Sequence, residues 1–526
     1  MAKKRHLGNS RGKLKSSASE KSSKTINTKA WLCLIVVFGL LLRLYFYVGP
    51  NINDDVDYCW SAFEVSKGNF SPLYGGSINA LRSMMTVPVA FFFWLFGGGE
   101  FQASIYPLLC SLSTIVATYL LGKTLINERV GLMGAALQSF FPLDVVFSTQ
   151  LVPTTPVVMF ASFGLFCFLT AEKIDWKEPG RKLWRRRGLL VISGVLFGFA
   201  HLASETGVIV TMFIGFAYLI YERKLKIDYS LVLLGFLTVF TLETSVMYLN
   251  TGDPWHRLVV IHETEIMIGT NLAMDYYPRV MLRIINPNYW SHEGNLGIHF
   301  YLFMSGSVYA LLKKQKNALF LVLTFILIMG YFEFGVMTTG FKPIAKWVRY
   351  LIVFGPTFSL VIANLVDHLH LGRLMKLGLV KRYEEVLTFL IRPLAVMMVF
   401  AISWQYLVGA TGAYNEWTRD FKEEYKFLNT LPPRTVYADQ GSIGFIKIYS
   451  GWKIESKGIE GMKLGDIHDA YVLVNASSGA VDFPPMRDSM PYNHEPLPDD
   501  WILLKTVETS RIKPKIFLAP LLGIGK

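Results

Sequence analysis

The feature that most limits what this chain can fold into is a succession of long apolar runs. They lie near residues 30–47, 101–122, 130–147, 151–170, 188–203, 205–221, 230–249, 297–312, 318–336, 348–366 and 390–409. About 20 apolar residues in helical form cross a bilayer, and lipid tolerates little else than helices and closed barrels. Composition agrees. Of 526 residues 52% are hydrophobic and 17% charged, with mean hydropathy +0.36. A soluble globular chain has about 25% charged residues. Yet the formal net charge is +13. That pairing excludes disorder, a fibrous repeat and an ordinary soluble enzyme. Nucleic-acid binding, the usual reading of a basic chain, is opposed by the apolar content. The expected fold class is mainly α: a polytopic membrane protein with about 11 transmembrane helices.

The position of the charge tests this reading. Residues 1–29 hold nine basic residues and one acid, Glu20, and read as a disordered basic tail. The run from Ala30 to Tyr47 has no small-residue cleavage site and reads as a retained first span rather than a signal peptide. If the tail is cytoplasmic, the inner connections include 171–187, with Lys173, Lys177, Arg181, Lys182, Arg185, Arg186 and Arg187. By this count 28 of the 52 lysines and arginines lie inside, whereas outer loop 50–100 has only Lys67 and Arg82. The positive-inside rule is obeyed, with the N-terminus inside and the C-terminal segment outside. The pair of spans between Gly188 and Tyr221 is marginal, because its first member is short. Met84 to Phe96 is about half a span and reads as a helix lying in the outer interface, where Trp94 is at home.

From about Tyr414 the pattern changes. Short apolar runs, 435–439, 470–475, 501–504 and 515–518, alternate with polar stretches, and 441–449 suits a short helix. A small extracytoplasmic α/β domain over 414–526 is expected. The remainder, 30–413, forms the transmembrane domain.

Outer loop 50–100 carries the chemistry. Asn53 is a good helix N-cap and Gly68 a good stop. Tyr58, Ala62 and Val65 share one helical face. Asp54 and Asp55 occupy the first turn, just above the first span. Two readings stay open: acids matched to the positive helix end, worth about 0.3–1 kcal/mol each, or a carboxylate base where a lipid-borne substrate meets a water-borne one. Asp57 extends the cluster, so a divalent metal is a candidate cofactor, though no second ligand set is evident. A second charged feature is outer stretch 341–350, where Lys342, Lys346 and Arg349 are spaced i, i+4, i+7 beside Trp347 and Tyr350. Basic residues outside run against the charge trend. They either reach lipid head groups or hold an anion; Arg82 is a further candidate for the anion.

The run Asp54-Asp55-x-x-Tyr58-x-x-x-Ala62-x-x-Val65-x-x-Gly68 resembles the Asp-Glu-x-x-Tyr signature in the first outer loop of GT-C membrane glycosyltransferases, in the protein O-mannosyltransferase and aminoarabinose-transferase branch. Leu95-Phe96-Gly97, Pro142-Leu-Asp144, Thr251-Gly252-Asp253-Pro254 and Arg349-Tyr350 follow in the family's order, over roughly residues 30–409. The resemblance implies a glycosyltransferase that takes a sugar from a polyprenyl phosphate, such as undecaprenyl or dolichyl phosphate, and inverts the anomeric carbon. It implies Asp54 as base, Asp55 as a second catalytic carboxylate that orients the base or binds a sugar hydroxyl, Tyr58 and Tyr350 as substrate contacts, and Arg349 on the donor phosphate, with Lys342, Lys346 and Arg82 as further cations. The acceptor would be a protein, lipid or glycan hydroxyl, and the location a prokaryotic plasma membrane.

Two departures stand out. Family members carry an acid where the fourth span begins; here the run is Leu151-Val-Pro-Thr154-Thr155-Pro156, and Asp144 on the preceding span is the nearest substitute. A basic residue is expected between the fifth and sixth spans, where this chain has His201-Leu-Ala-Ser204-Glu205. Glu243 and Glu333 lie in outer parts of spans, and intramembrane carboxylates are functional candidates. His262, Glu263 and Glu265 form a trio that reads mainly as a solvated face. The rival functions are a secondary transporter, which would show internal repeats, and a non-catalytic assembly subunit.

Overall fold

In the computed structural model the described residues are 27–51, 54–174, 180–271, 296–335, 348–368, 384–459, 462–474, 498, 500–506 and 515–519. Among them, nine helices are long and apolar enough to cross a membrane: Thr28–Tyr45, Glu100–Leu125, Thr154–Glu172, Arg181–Ala203, Glu205–Glu222, Ile227–Thr251, Lys316–Phe334, Val348–Asp367 and Leu390–Glu416. The marginal pair is resolved as two spans, parted by extended backbone at Ser204.

The two remaining expected spans are shorter. The run 130–147 forms helices Glu128–Ser139 and Pro142–Phe147. Proline restricts the residue before it to extended conformations, and Phe141 sits at φ −60°, ψ 117°, which parts the two helices. The other is Ile298–Leu312, of 15 residues. Ser83–Phe96 is a separate helix that exposes Val87, Phe91, Trp94 and Phe96.

Lipid tails remove the hydrophobic drive between helices, so close packing and polar contacts hold them together. Helices Arg181–Ala203 and Ser230–Thr251 cross where Gly194 meets the Val232 carbonyl and Gly235 meets that of Val191, leaving no room for a Cβ. A polar knot does the same work at the first span. Arg43 and Asp144 are paired at 2.6 Å with exposures of 0% and 2%. The guanidinium also donates to Ser111 Oγ at 2.7 Å and to the carbonyls of Gly39 and Ser139 at 2.9 and 2.8 Å. Ser111 and Gln138 donate to the same carboxylate oxygen at 2.8 and 3.2 Å. The knot ties Thr28–Tyr45, Glu100–Leu125 and both halves of the broken span.

The last span continues as one helix, Glu384–Leu428, into a five-stranded sheet region. Strands are β1 Val436–Ala438, β2 Ser456–Gly458, β3 Ala470–Val474, β4 Ile502–Thr506 and β5 Lys515–Ala519, in the order β2-β1-β3-β5-β4. β2-β1-β3 are parallel, while β3-β5 and β5-β4 are antiparallel. Helix Gln440–Ser450 connects β1 to β2, capped by the Asp439 carboxylate accepting from the Ser442 N–H at 3.0 Å.

This region docks onto helices Asp54–Ser66 and Ser83–Phe96. Ile448 joins the buried cluster of Tyr58, Cys59, Ala62 and Met85. Trp452 stacks on Phe63 with centroids 4.3 Å apart, and meets Phe93 edge-on at 5.5 Å. It adopts φ +62°, a left-handed conformation unusual for a large side chain. Lys422, on the helix leaving the last span, pairs with Glu100 at 2.6 Å.

Candidate active site

Helix Asp54–Ser66 forms as its spacing predicts. Tyr58 and Ala62 are fully buried, Val65 nearly so, and Gly68 ends the turn at φ +87°. The proposed N-cap Asn53 lies outside the described residues. The buried face fixes where the helix start points, and so aims Asp54, which is 30% exposed.

The structure brings Asp54 and Arg349 together, Arg349 Nη1 lying 2.8 Å from Asp54 Oδ2. Asn79 Nδ2 is 3.4 Å from Asp54 Oδ1 and 3.3 Å from Asp57 Oδ2. Arg82 donates to the Tyr58 hydroxyl at 2.8 Å and to Asn79 Oδ1 at 3.1 Å. Tyr350 stacks on Phe332 at 5.4 Å. Thus Asp54, Tyr58, Arg82, Arg349 and Tyr350, scattered over 300 positions in the sequence, border one cluster. Lys342 and Lys346 lie outside the described residues.

Asp55 sits in a different setting. It is 5% exposed and accepts the Asn51 N–H at 2.6 Å. Burial pushes its carboxyl up to about 7, against the opposing pull of backbone N–H bonds from Asn51 and Leu151. Asp57, beside Asn79, is also pushed up by burial. The Tyr58 phenol is raised by burial too, despite Arg82.

A second set of charges continues from Arg82. Glu205 accepts from Arg82 at 2.8 Å and from Arg257 at 3.0 Å. Arg257 also pairs with Glu243, which lies 3.2 Å from His201. Sequence reasoning missed Arg257 and the role of Glu205. Glu205 stands at the span junction where a cation was expected, and here it holds two cations. Glu243 is part of this network rather than an isolated membrane carboxylate.

Asp144 does not replace the missing acid at the fourth span. It is held by Arg43 inside the knot, while Thr154 and Thr155 are buried at 1% exposure. Among the described residues no three His, Cys, Asp or Glu side chains are grouped to hold a metal ion. The side chain of Glu265, third of the loop trio, lies outside the described ones.

Solved structures supply the frame. ArnT from Cupriavidus metallidurans in the apo state superposes with TM-score 0.63 at 12% identity, covering 93% of this chain and 98% of that one. The same protein bound to undecaprenyl phosphate gives TM-score 0.59 at 12% identity over the same shares. The chain has the GT-C fold. Residues 84–248 match the family described as dolichyl-phosphate-mannose-protein mannosyltransferase, a match that begins downstream of Asp54. No curated protein sequence matches. Helix Asp54–Ser66, the start of the Val348–Asp367 span and the Ser204 junction meet in the charged cluster.

Proposed function

We propose that this protein is an inverting glycosyltransferase that moves a sugar from a polyprenyl phosphate to an acceptor hydroxyl at the extracytoplasmic face. The observation that carries the reading is the pairing of Asp54 with Arg349 beside Tyr58 and Arg82. A base and cations for a phosphate are what the reaction needs in one place.

Each residue has a task. The acceptor oxygen attacks the anomeric carbon and its proton passes to Asp54. The bond from that carbon to the phosphate oxygen breaks on the opposite face. Its electron pair leaves with the polyprenyl phosphate, whose growing charge Arg349 stabilises. A guanidinium presents five N–H donors, so Arg349 can serve a phosphate beside the carboxylate. Arg82 and Tyr58 border the same space, with Arg82 braced by Glu205, and Tyr350 offers an aromatic face to sugar or isoprenoid. Asp55 holds the loop rather than touching substrate. Lys342 and Lys346 would add charge for the donor. A divalent metal, if used, would fall to Asp54 and Asp57. The match of ArnT bound to undecaprenyl phosphate favours a lipid-phosphate donor.

The same reading divides the chain into a cytoplasmic basic tail over 1–29, a membrane catalytic domain over 30–413 and an outer α/β domain over 414–526, in a plasma membrane. The docking of Trp452 on Phe63 supports placing the last domain on the side of the site.

Membranes holding the protein, supplied with radiolabelled polyprenyl-phosphate sugars, should transfer label, with the anomeric configuration inverted in the product. Asp54→Asn should lose about 10²–10⁴ of the rate while expression persists. Full transfer by that variant would remove Asp54 as base, and retention of configuration would overturn direct displacement.

A further inference from the structure

His299 is completely buried, yet neither ring nitrogen has a hydrogen-bond partner among the described residues. Buried polar groups are nearly always satisfied, so such an exception needs an explanation. The rings of Phe140 and Phe141 sit 6.0 and 5.3 Å away and offer no hydrogen bond. The imidazole lines a cavity of about 110 Å³ together with Pro142, Leu296, Ser403, Gln405 and Tyr406.

Three observations say what could fill it. First, Gln405 in its wall is exposed, so the cavity reaches the outside of the bundle. Second, the cavity lies level with the end of the first span, where a head-group boundary is expected. The neighbouring Trp404 packs on Tyr45 and Phe46 at 5.4 and 4.9 Å, where the first span ends. Third, exposed apolar side chains run from the cavity along both helices that form it: Met304, Val308 and Leu311 on one, Leu394, Met397 and Met398 on the other. A lipid tail can lie on them while its polar end reaches the imidazole.

We propose that this cavity binds the ester region of a glycerolipid of the outer leaflet. A neutral imidazole has one donor and one acceptor nitrogen. Its N–H donates to an acyl ester carbonyl, and its other nitrogen accepts from a hydroxyl or water that enters with the lipid. Gln405 provides the second polar contact at the mouth. The site is separate from the Asp54–Arg349 cluster: helix Pro142–Phe147 packs against both the Glu384–Leu428 helix and the Val348–Phe354 segment. The inference therefore stands or falls independently of the proposed reaction.

The test is native mass spectrometry of the full chain released from detergent, with diacyl phospholipid, its diether analogue or polyprenol added back to delipidated protein. The diacyl lipid should be retained, and the diether, which lacks ester carbonyls, should bind about tenfold more weakly. Gln405→Leu, at an exposed position that tolerates an apolar side chain, should weaken diacyl retention several-fold. His299→Phe should abolish the difference between diacyl and diether lipids. Equal retention of diacyl and diether lipid by the unaltered protein would overturn the proposal. So would unchanged preference in His299→Phe, or stronger retention of polyprenol than of diacyl lipid.

Discussion

Two arginine–aspartate pairs in this molecule have the same chemistry and opposite meaning. Arg43 and Asp144 are both essentially inaccessible, and the guanidinium is enclosed by the carboxylate, a serine and two backbone carbonyls. Arg349 and Asp54 are 27% and 30% exposed at the end of the bundle, beside a tyrosine and a second arginine. A charge whose hydrogen bonds all end within the protein holds helices together. A charge that keeps a face toward solvent can meet a substrate. Sequence placed both acids in ordered motifs, Asp54 as the candidate base and Asp144 as the nearest substitute for a missing acid, without showing that Asp144 is enclosed by Arg43.

The comparison can be broken most forcefully at the inner pair. Removing one partner from a buried ion pair costs about 3–5 kcal/mol, so Arg43→Leu should sharply lower the yield of folded protein and its Tm in detergent. Arg43→Leu combined with Asp144→Leu should recover much of that loss, because no charge is stranded. If the single variant folds normally, the knot is not structural. At the outer cluster Glu205→Gln should leave Tm nearly unchanged but slow transfer about tenfold, because Arg82 loses a partner in the charged network. Equal loss of Tm at both sites would erase the distinction.

A smaller effect concerns the seam between the loop and the sheet region. Trp452→Ala removes a stacked pair worth about 0.5–1.5 kcal/mol beyond area burial, and should speed proteolysis between 428 and 456 while the spans stay intact. A separate effect is the pH dependence at Asp55. Its carboxyl lies near 7 in the fold and near 3.8 when unfolded. The folded state therefore favours the protonated form. The stability this gives is fully present below about 3.8 and is lost as pH rises through 7. Thermal stability should decline between about pH 4 and 7 from this group, and Asp55→Asn should flatten that decline. A steeper decline in the variant would contradict the assignment.

What the sequence revealed follows from the range of the interactions. Helix Asp54–Ser66 was legible because Tyr58, Ala62 and Val65 repeat at helical spacing, and the spans because lipid demands long apolar runs. The break at Phe141 was signalled by Pro142 but masked by continuous hydrophobicity. β2, three residues of Ser-Lys-Gly, carries no strand pattern and exists only because β1 offers it an edge. The partners of Arg82 and Arg257 lie 123 and 52 residues away, so no local spacing could reveal the Glu205 network. Arg349 was legible through its motif and through a basic cluster that runs against the charge trend. Its meeting with Asp54 is a property of the bundle.

The most direct measurement is the initial rate of sugar transfer from a polyprenyl-phosphate donor by Asp54→Asn and Asp144→Asn, each expressed per molecule of folded protein. The outer substitution should lower that rate at least 100-fold with normal yield. The inner one should reduce yield but leave the rate of the surviving molecules within a few-fold of the unaltered protein. The reverse result, an active Asp54→Asn beside a well-folded but inactive Asp144→Asn, would contradict the account.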